Sequence, residues 1–208
     1  MSKGADRTIN VGARKERSDP MTRIYVLCGQ SGVGKSTVLS KVDEGDRGIA
    51  VVNFGQRILN VAKNHGLASN PEEVQGLSPE DLAKLQLEAS EEIAEMGGRI
   101  VIDMHLTVRT PVGFIAGMPR KVADTLKPAR IILLEEDPYE VLKRRMTGKD
   151  MKNVDESLKE IQEHMDFDRA AAISVAIDIG ASVKIVRNDD IDKAMAKIWE
   201  ILDEDALA

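Results

Sequence analysis

The sequence predicts an α/β fold: three layers, α/β/α, around a central five-stranded parallel sheet. Two observations carry the prediction. Five short apolar runs alternate with segments of helical periodicity, and each run is apolar on both faces, as strands buried between two helical layers must be. The first run leads straight into Gly29-Gln30-Ser31-Gly32-Val33-Gly34-Lys35-Ser36-Thr37, which fits the template G-x-x-x-x-G-K-[ST] at every fixed position.

Taken in order, residues 1–20 carry Gly, Ser, Asp, Lys and Arg with almost no apolar content and cannot bury enough surface to order themselves. They read as a flexible N-terminal extension, and a single domain over 21–208 follows. A chain starting at Met21 is expected to keep its activity and melting temperature. Residues 24–28, Ile-Tyr-Val-Leu-Cys, form the first strand. From Ser36 onward Val38, Leu39 and Val42 can share one helical face. Residues 49–54 are the second strand, followed by helical patterns over 58–63 and 79–96. Pro79 suits a first helical turn and Gly97 a helix end. Residues 100–103 are the third strand and 119–126 a helix. The fourth strand, 131–134, leads to a helix over 138–145, again with proline in its first turn. The polar Thr147-Gly148-Lys149-Asp150 lies in a short lid over about 146–156, mobile when empty and closed over phosphates when full. A long helix over 154–179 ends at Gly180, before a fifth strand at 183–186 and a last helix at 191–202.

The glycine-rich segment has a defined chemistry. Gly29, Gly32 and Gly34 let the backbone turn tightly, so that successive N–H groups point at phosphate oxygens. The positive end of the helix that follows adds to the same anion site. Lys35 would reach the β- and γ-phosphates and the Ser36 hydroxyl would ligate Mg²⁺. The segment resembles the phosphate loop of the P-loop NTPases, in the strand–loop–helix context that gives the motif meaning.

Composition limits the partners. At 208 residues the chain can bury a real core, but only 3% of it is aromatic, so that core is built from aliphatic residues and Met. A net charge of -6 argues against a dedicated nucleic-acid binder. The single cysteine, Cys28, excludes an internal disulfide framework and suits a reducing compartment. No run approaches the roughly 20 apolar residues that span a bilayer, and no signal-peptide core opens the chain. The expected location is the cytoplasm.

The strand Ile100-Val101-Ile102-Asp103 ends in a carboxylate at the sheet edge beside the phosphate loop, where it can orient Mg²⁺ directly or through water. His105, two residues on, points to the same side of an extended chain and reads as a contact to a substrate phosphate, a partner of Asp103 or a satisfied loop histidine. Phosphoryl transfer to a second nucleotide needs positioned cations. Arg109, in a Thr-Pro loop, Arg144 and Arg145, at the end of a helix, and Arg169, on the long helix, are the candidates, because guanidinium meets phosphate bidentately.

From about Thr22 to Asn188 the chain resembles the archaeal-type adenylate kinases. The pieces that carry the resemblance are Val52-Asn53-Phe54-Gly55, Ile102-Asp103-Met104-His105-Leu106-Thr107, the segment from Thr110 to Pro119, Asp168-Arg169-Ala170-Ala171-Ala172 and Gly180-Ala181-Ser182-Val183-Lys184. The resemblance implies transfer of the terminal phosphoryl group of ATP to AMP, giving two ADP, with Mg²⁺ as cofactor and assembly into a homo-trimer. It implies that residues from Gly29 to Thr37, with Arg144, bind ATP, that Phe54, Gly55, His105 and Arg109 bind AMP, and that the segment from about 53 to 96 forms the AMP side. It places Lys35, Arg109, Arg144 and Arg169 in catalysis and Ser36 and Asp103 at the metal. Three places depart from the family pattern: Met104 stands for a usual Thr, Ala116-Gly117-Met118-Pro119 for Pro-Gly-Leu-Pro, and Lys152-Asn153-Val154 for an Arg-Asn-Arg run. Val154→Arg is expected to lower the KM for ATP if the lost lid cation matters.

Three other readings share parts of this pattern. Another nucleoside monophosphate or small-molecule kinase would share fold and loop. A GTPase switch would need an [NT]-K-x-D segment, and Thr147-Gly148-Lys149-Asp150 has those letters in the wrong order. A nucleotide-dependent RNA-processing or assembly factor would bind nucleotide with weak turnover.

Overall fold

The computed structural model describes residues 22–110, 113–147 and 156–204. The extension expected over 1–20 and most of the lid expected over 146–156, Lys152 and Val154 included, lie outside the described residues. The chain runs β1 (Arg23–Cys28), α1 (Lys35–Glu44), β2 (Ile49–Asn53), α2 (Phe54–Asn64), α3 (Pro71–Gln75), α4 (Pro79–Ala94) and β3 (Arg99–Asp103). It continues with β4 (Thr107–Thr110), β5 (Gly113–Ala116), α5 (Arg120–Leu126), β6 (Arg130–Glu135), α6 (Pro138–Thr147), α7 (Leu158–Ile179), β7 (Ser182–Arg187) and α8 (Ile191–Glu204).

The five strands expected are all present and form one parallel sheet in the order β2-β3-β1-β6-β7. Alternation along each strand divides the apolar residues between two layers. Ile24, Val26 and Cys28 of β1, Ile100 and Ile102 of β3, and Ile131 and Leu133 of β6 face a core shared with α2, α4, α5 and part of α7. Tyr25, Leu27, Val101, Ile132 and Leu134 face the other, shared with α1, α6, α8 and the start of α7. Burial on both faces explains why the inner strands β1, β3 and β6 read as unbroken apolar runs; the edge strands β2 and β7 are partly exposed. It also leaves polar chemistry to the edge where strands end and loops begin.

The structure corrects the expected boundaries. Phe54 is not the end of a strand but the first residue of α2, because the Asn53 side chain accepts a hydrogen bond from the Gln56 amide at 2.8 Å and caps the helix. The long helix begins at Leu158 rather than 154, where Ser157 and Glu160 form a capping box. Arg109 is not in a loop: it lies on β4, which pairs antiparallel with β5 in a hairpin whose strands are too short to show a period in the sequence. The five-residue α3, opened by Asn70-Pro71, was likewise not expected.

Candidate active site

β1 delivers the chain into the phosphate loop at the centre of the sheet edge. At Gly34, φ is +96° and a Cβ would stand 2.3 Å from the Asn188 Nδ2, so the loop closes against β7 only with glycine there. Gly34 is also the N-cap of α1 and offers no side chain to its first turn, whereas α2, α4 and α7 are capped by Asn53, Ser78 and Ser157. The amides at the start of α1 are therefore left to an anion. Lys35 reaches back over the loop: its Nζ donates to the Gly29 carbonyl at 2.8 Å and stands 4.0 Å from Asp103 Oδ1. Burial lowers the Lys35 pKa, opposed by the Asp103 carboxylate. Gln30 and Val33 are not available as side chains: Gln30 is spent on the Ile161 carbonyl and Arg145, and Val33 packs in the core. Both leave only their backbone to the loop.

Asp103 ends β3 next to Asn53, which ends β2, and Asn53 Nδ2 donates to Asp103 Oδ2 at 2.9 Å. Asp103 Oδ1 is buried with no hydrogen-bond partner among the described residues. The Ser36 hydroxyl is exposed on the first turn of α1. An orphaned carboxylate oxygen and a free hydroxyl are hard oxygen donors beside a phosphate cradle, and they fit Mg²⁺, which keeps water and phosphate as its remaining ligands. Among the described residues no group of three or more His, Cys, Asp or Glu could hold a metal unaided.

His105 is not the partner of Asp103, a place taken by Asn53. Its ring lies near the Gly29 backbone and Lys35. The residue keeps an exposed surface, while desolvation of the ring and then the Lys35 charge push its pKa down to about 4. Phe54 packs its side chain in the core, leaving only its backbone to the cleft, while Gly55 is exposed in the first turn of α2.

The expected arginines converge, each against a carboxylate. Arg144 donates to the Gly32 carbonyl at 3.2 Å and to the buried Glu136 at 2.7 Å. Arg169 grips the neighbouring buried Glu135 through Nε and Nη2, at 2.6 and 2.7 Å. Arg109 reaches Glu156 at 3.2 Å and Glu160 at 2.6 Å. Arg145 is a clamp under the loop: it is 6% exposed, donates to Ser31 O and Gln30 Oε1, each at 2.9 Å, and pairs with Glu156. Sequence reasoning missed Glu135, Glu136 and Asn53. The first two carried the signal that marked Asp103, an acid at the end of an apolar strand.

One buried group lies outside this set. Thr107 Oγ1 donates to Asp168 Oδ1 at 2.6 Å and takes the His164 Nε2 contact at 3.1 Å. Phe114 of β5 stacks on Phe167 with centroids 4.3 Å apart. These contacts fasten the hairpin to α7, and with it Arg109 to the cleft. Burial raises the Asp168 pKa, partly offset by the Thr107 hydrogen bond.

Comparison with known proteins agrees with this geometry. A family model described as an AAA domain matches residues 28–162. The adenylate kinase of Methanocaldococcus jannaschii is 37% identical over 188 residues, covering 86% of this chain and 98% of the relative. That of Methanoculleus marisnigri is 39% identical over 171 residues, covering 79% and 89%. Among solved structures, the shikimate kinase of Bacteroides thetaiotaomicron superposes with a TM-score of 0.57 at 16% identity, covering 87% of this chain and 98% of that one, a likeness of fold alone. The phosphate loop, the strand-end carboxylate and the converging arginines thus sit in a chain that belongs to the adenylate kinase family.

Proposed function

We propose that the protein transfers the terminal phosphoryl group of MgATP to AMP, reversibly, giving two ADP. One juxtaposition carries this reading: the uncapped start of α1, Lys35 and the half-satisfied Asp103 stand at the edge where Arg109, Arg144 and Arg169 converge. In this reading the loop amides and Lys35 hold the β- and γ-phosphates, and Arg144, already on the loop, follows them. Arg169 and Arg109 meet the charge that spreads over the transferred group. Gly55 and the backbone of Phe54 receive AMP at the start of α2, with His105 and Arg109 on its phosphate side. Ser36 and Asp103 would hold Mg²⁺, which supplies neutralisation of charge on the phosphate oxygens when bound.

An oxygen of the AMP phosphate forms a bond to the γ-phosphorus while the bond from that phosphorus to the β–γ bridging oxygen breaks. The electron pair stays on the departing ADP, so no enzyme nucleophile and no redox partner is needed. His105, held neutral near pH 7, adds no second cation beside the one Lys35 supplies. We further propose a cytoplasmic protein that self-associates as a trimer, for which exposed Phe167, Ile173 and Ile177 on α7 provide apolar surface. Among the described residues no helix is long and apolar enough to cross a membrane.

The test is a coupled assay of ADP formation from MgATP with AMP, CMP, UMP, dTMP or no acceptor. Fast turnover with AMP alone is the expected result. Preference for another acceptor moves the substrate and keeps the fold. Slow hydrolysis indifferent to every acceptor would overturn the reading in favour of a nucleotide-dependent accessory protein.

A further inference from the structure

Asp103 is held by one side chain, and that side chain also begins a helix. The parallel register of β2 on β3 sets Asn53 level with Asp103 at the edge of the sheet. Asn53 Oδ1 accepts from the Gln56 amide at 2.8 Å, and Nδ2 donates to Asp103 Oδ2 at 2.9 Å. The orientation of the amide is forced, because an N–H can be met only by an acceptor, so the donor end must face the carboxylate. With Oδ2 held in this way, Oδ1 lies buried without a hydrogen bond, 4.0 Å from the Lys35 ammonium. Aspartate would cap α2 as well as asparagine does. What asparagine adds is a donor, placed where a second carboxylate would repel the first.

We propose that Asn53 is a positioning residue for phosphoryl transfer, fixing the Asp103 carboxylate with one oxygen presented to the phosphate loop. It does so from the N-cap of α2, so the start of the acceptor-side helix and the carboxylate are tied into one unit. The inference rests on the assignment of Asp103 to the metal. It concerns the residue behind that carboxylate, which acts through Asp103 without touching substrate.

Two substitutions separate positioning from capping. Asn53→Asp keeps the shape and the capping oxygen and removes the donor; Asn53→Thr keeps a capping oxygen, adds no charge and ends one bond short of the Nδ2 donor that reaches Asp103. For each, the melting temperature, kcat, the KM for AMP and the extra thermal stabilisation of MgATP over metal-free ATP are measured. Asn53→Thr should melt near the unmodified protein and Asn53→Asp lower, through the repulsion it introduces, and both should lose about 10- to 100-fold in kcat, the range expected for a group that orients a metal ligand. Their KM for AMP should change little and their MgATP increment should shrink. Should repulsion unfold Asn53→Asp, Asn53→Thr decides. A folded variant with kcat and the MgATP increment intact would make Asn53 a helix cap only. Asp103→Asn tells the two levels apart. If it loses the increment while both Asn53 variants keep it, the positioning role fails and the metal assignment stands. If Asp103→Asn itself keeps the increment, the metal assignment fails and the positioning role falls with it.

Discussion

Burial lowers the pKa of Lys35, and the neighbouring Asp103 carboxylate opposes that shift. Its ammonium is already turned over the loop by the Gly29 carbonyl, so binding phosphate requires little reorganisation. Lys35→Ala should therefore lower kcat by about 10²–10³, as loss of a preorganised donor does, in single-turnover and steady-state assays alike. His105 supplies a pH prediction. Its folded pKa lies near 4, below the unfolded value of 6.5, so the unfolded chain binds more protons between those values. Its contribution to stability is present above pH 6.5 and is lost as pH falls toward 4. Urea denaturation across that window should show this slope, reduced in His105→Asn. Lys35 and Asp103 were legible in the sequence because each is marked locally, one by a motif and one by a strand end. Glu135 carried the same local mark but was not read, since its partner Arg169 lies 34 residues away and pairing across that distance leaves no trace in spacing. Phe54 and Gln30 fall in recognisable segments, yet only packing shows that their side chains face inward.

At the scale of elements, α1 and α7 show opposite uses of a helix start. α1 leaves its amides open for phosphate, whereas α7 closes its own with Ser157 and Glu160. Ser157→Ala should cost about 1 kcal/mol, a melting temperature lower by roughly 2–4 °C in a chain of this size. The Glu160 carboxyl is held down to about 2, first by the Ser157 amide and then by Arg109. A carboxylate depressed in the folded state contributes stability above its ordinary value of 4.5, and that contribution is lost as pH falls toward 2. The inner strands β1, β3 and β6 were legible because burial on both faces writes a continuous apolar run, and the partly exposed edge strands β2 and β7 by their short β-branched runs. The β4–β5 hairpin was not: its strands have four residues each, partly exposed, and what fixes them is the docking of Thr107 and Phe114 on α7.

For the whole molecule the parallel sheet is a partition, with polar chemistry confined to one edge and apolar packing to both faces. Along that edge Lys35, Arg109, Arg144, Arg145 and Arg169 each lie within ion-pair distance of a carboxylate, in a chain whose net charge is -6. The cleft is therefore close to electrically balanced before any nucleotide arrives. A bare cluster of cations would attract every small anion in its surroundings. Here an incoming phosphate must compete with Glu135 and Glu136 for guanidinium groups, and a nucleotide, with a base to anchor as well, gains more from its other contacts than a bare anion does. Glu135→Gln should accordingly make the enzyme more sensitive to inhibition by inorganic phosphate, read as a lower inhibition constant with the melting temperature followed in parallel; an unchanged constant would show that Glu135 merely packs. On that expectation the carboxylates at the end of β6 would act as a filter, setting a threshold that a simple anion meets less easily than a nucleotide.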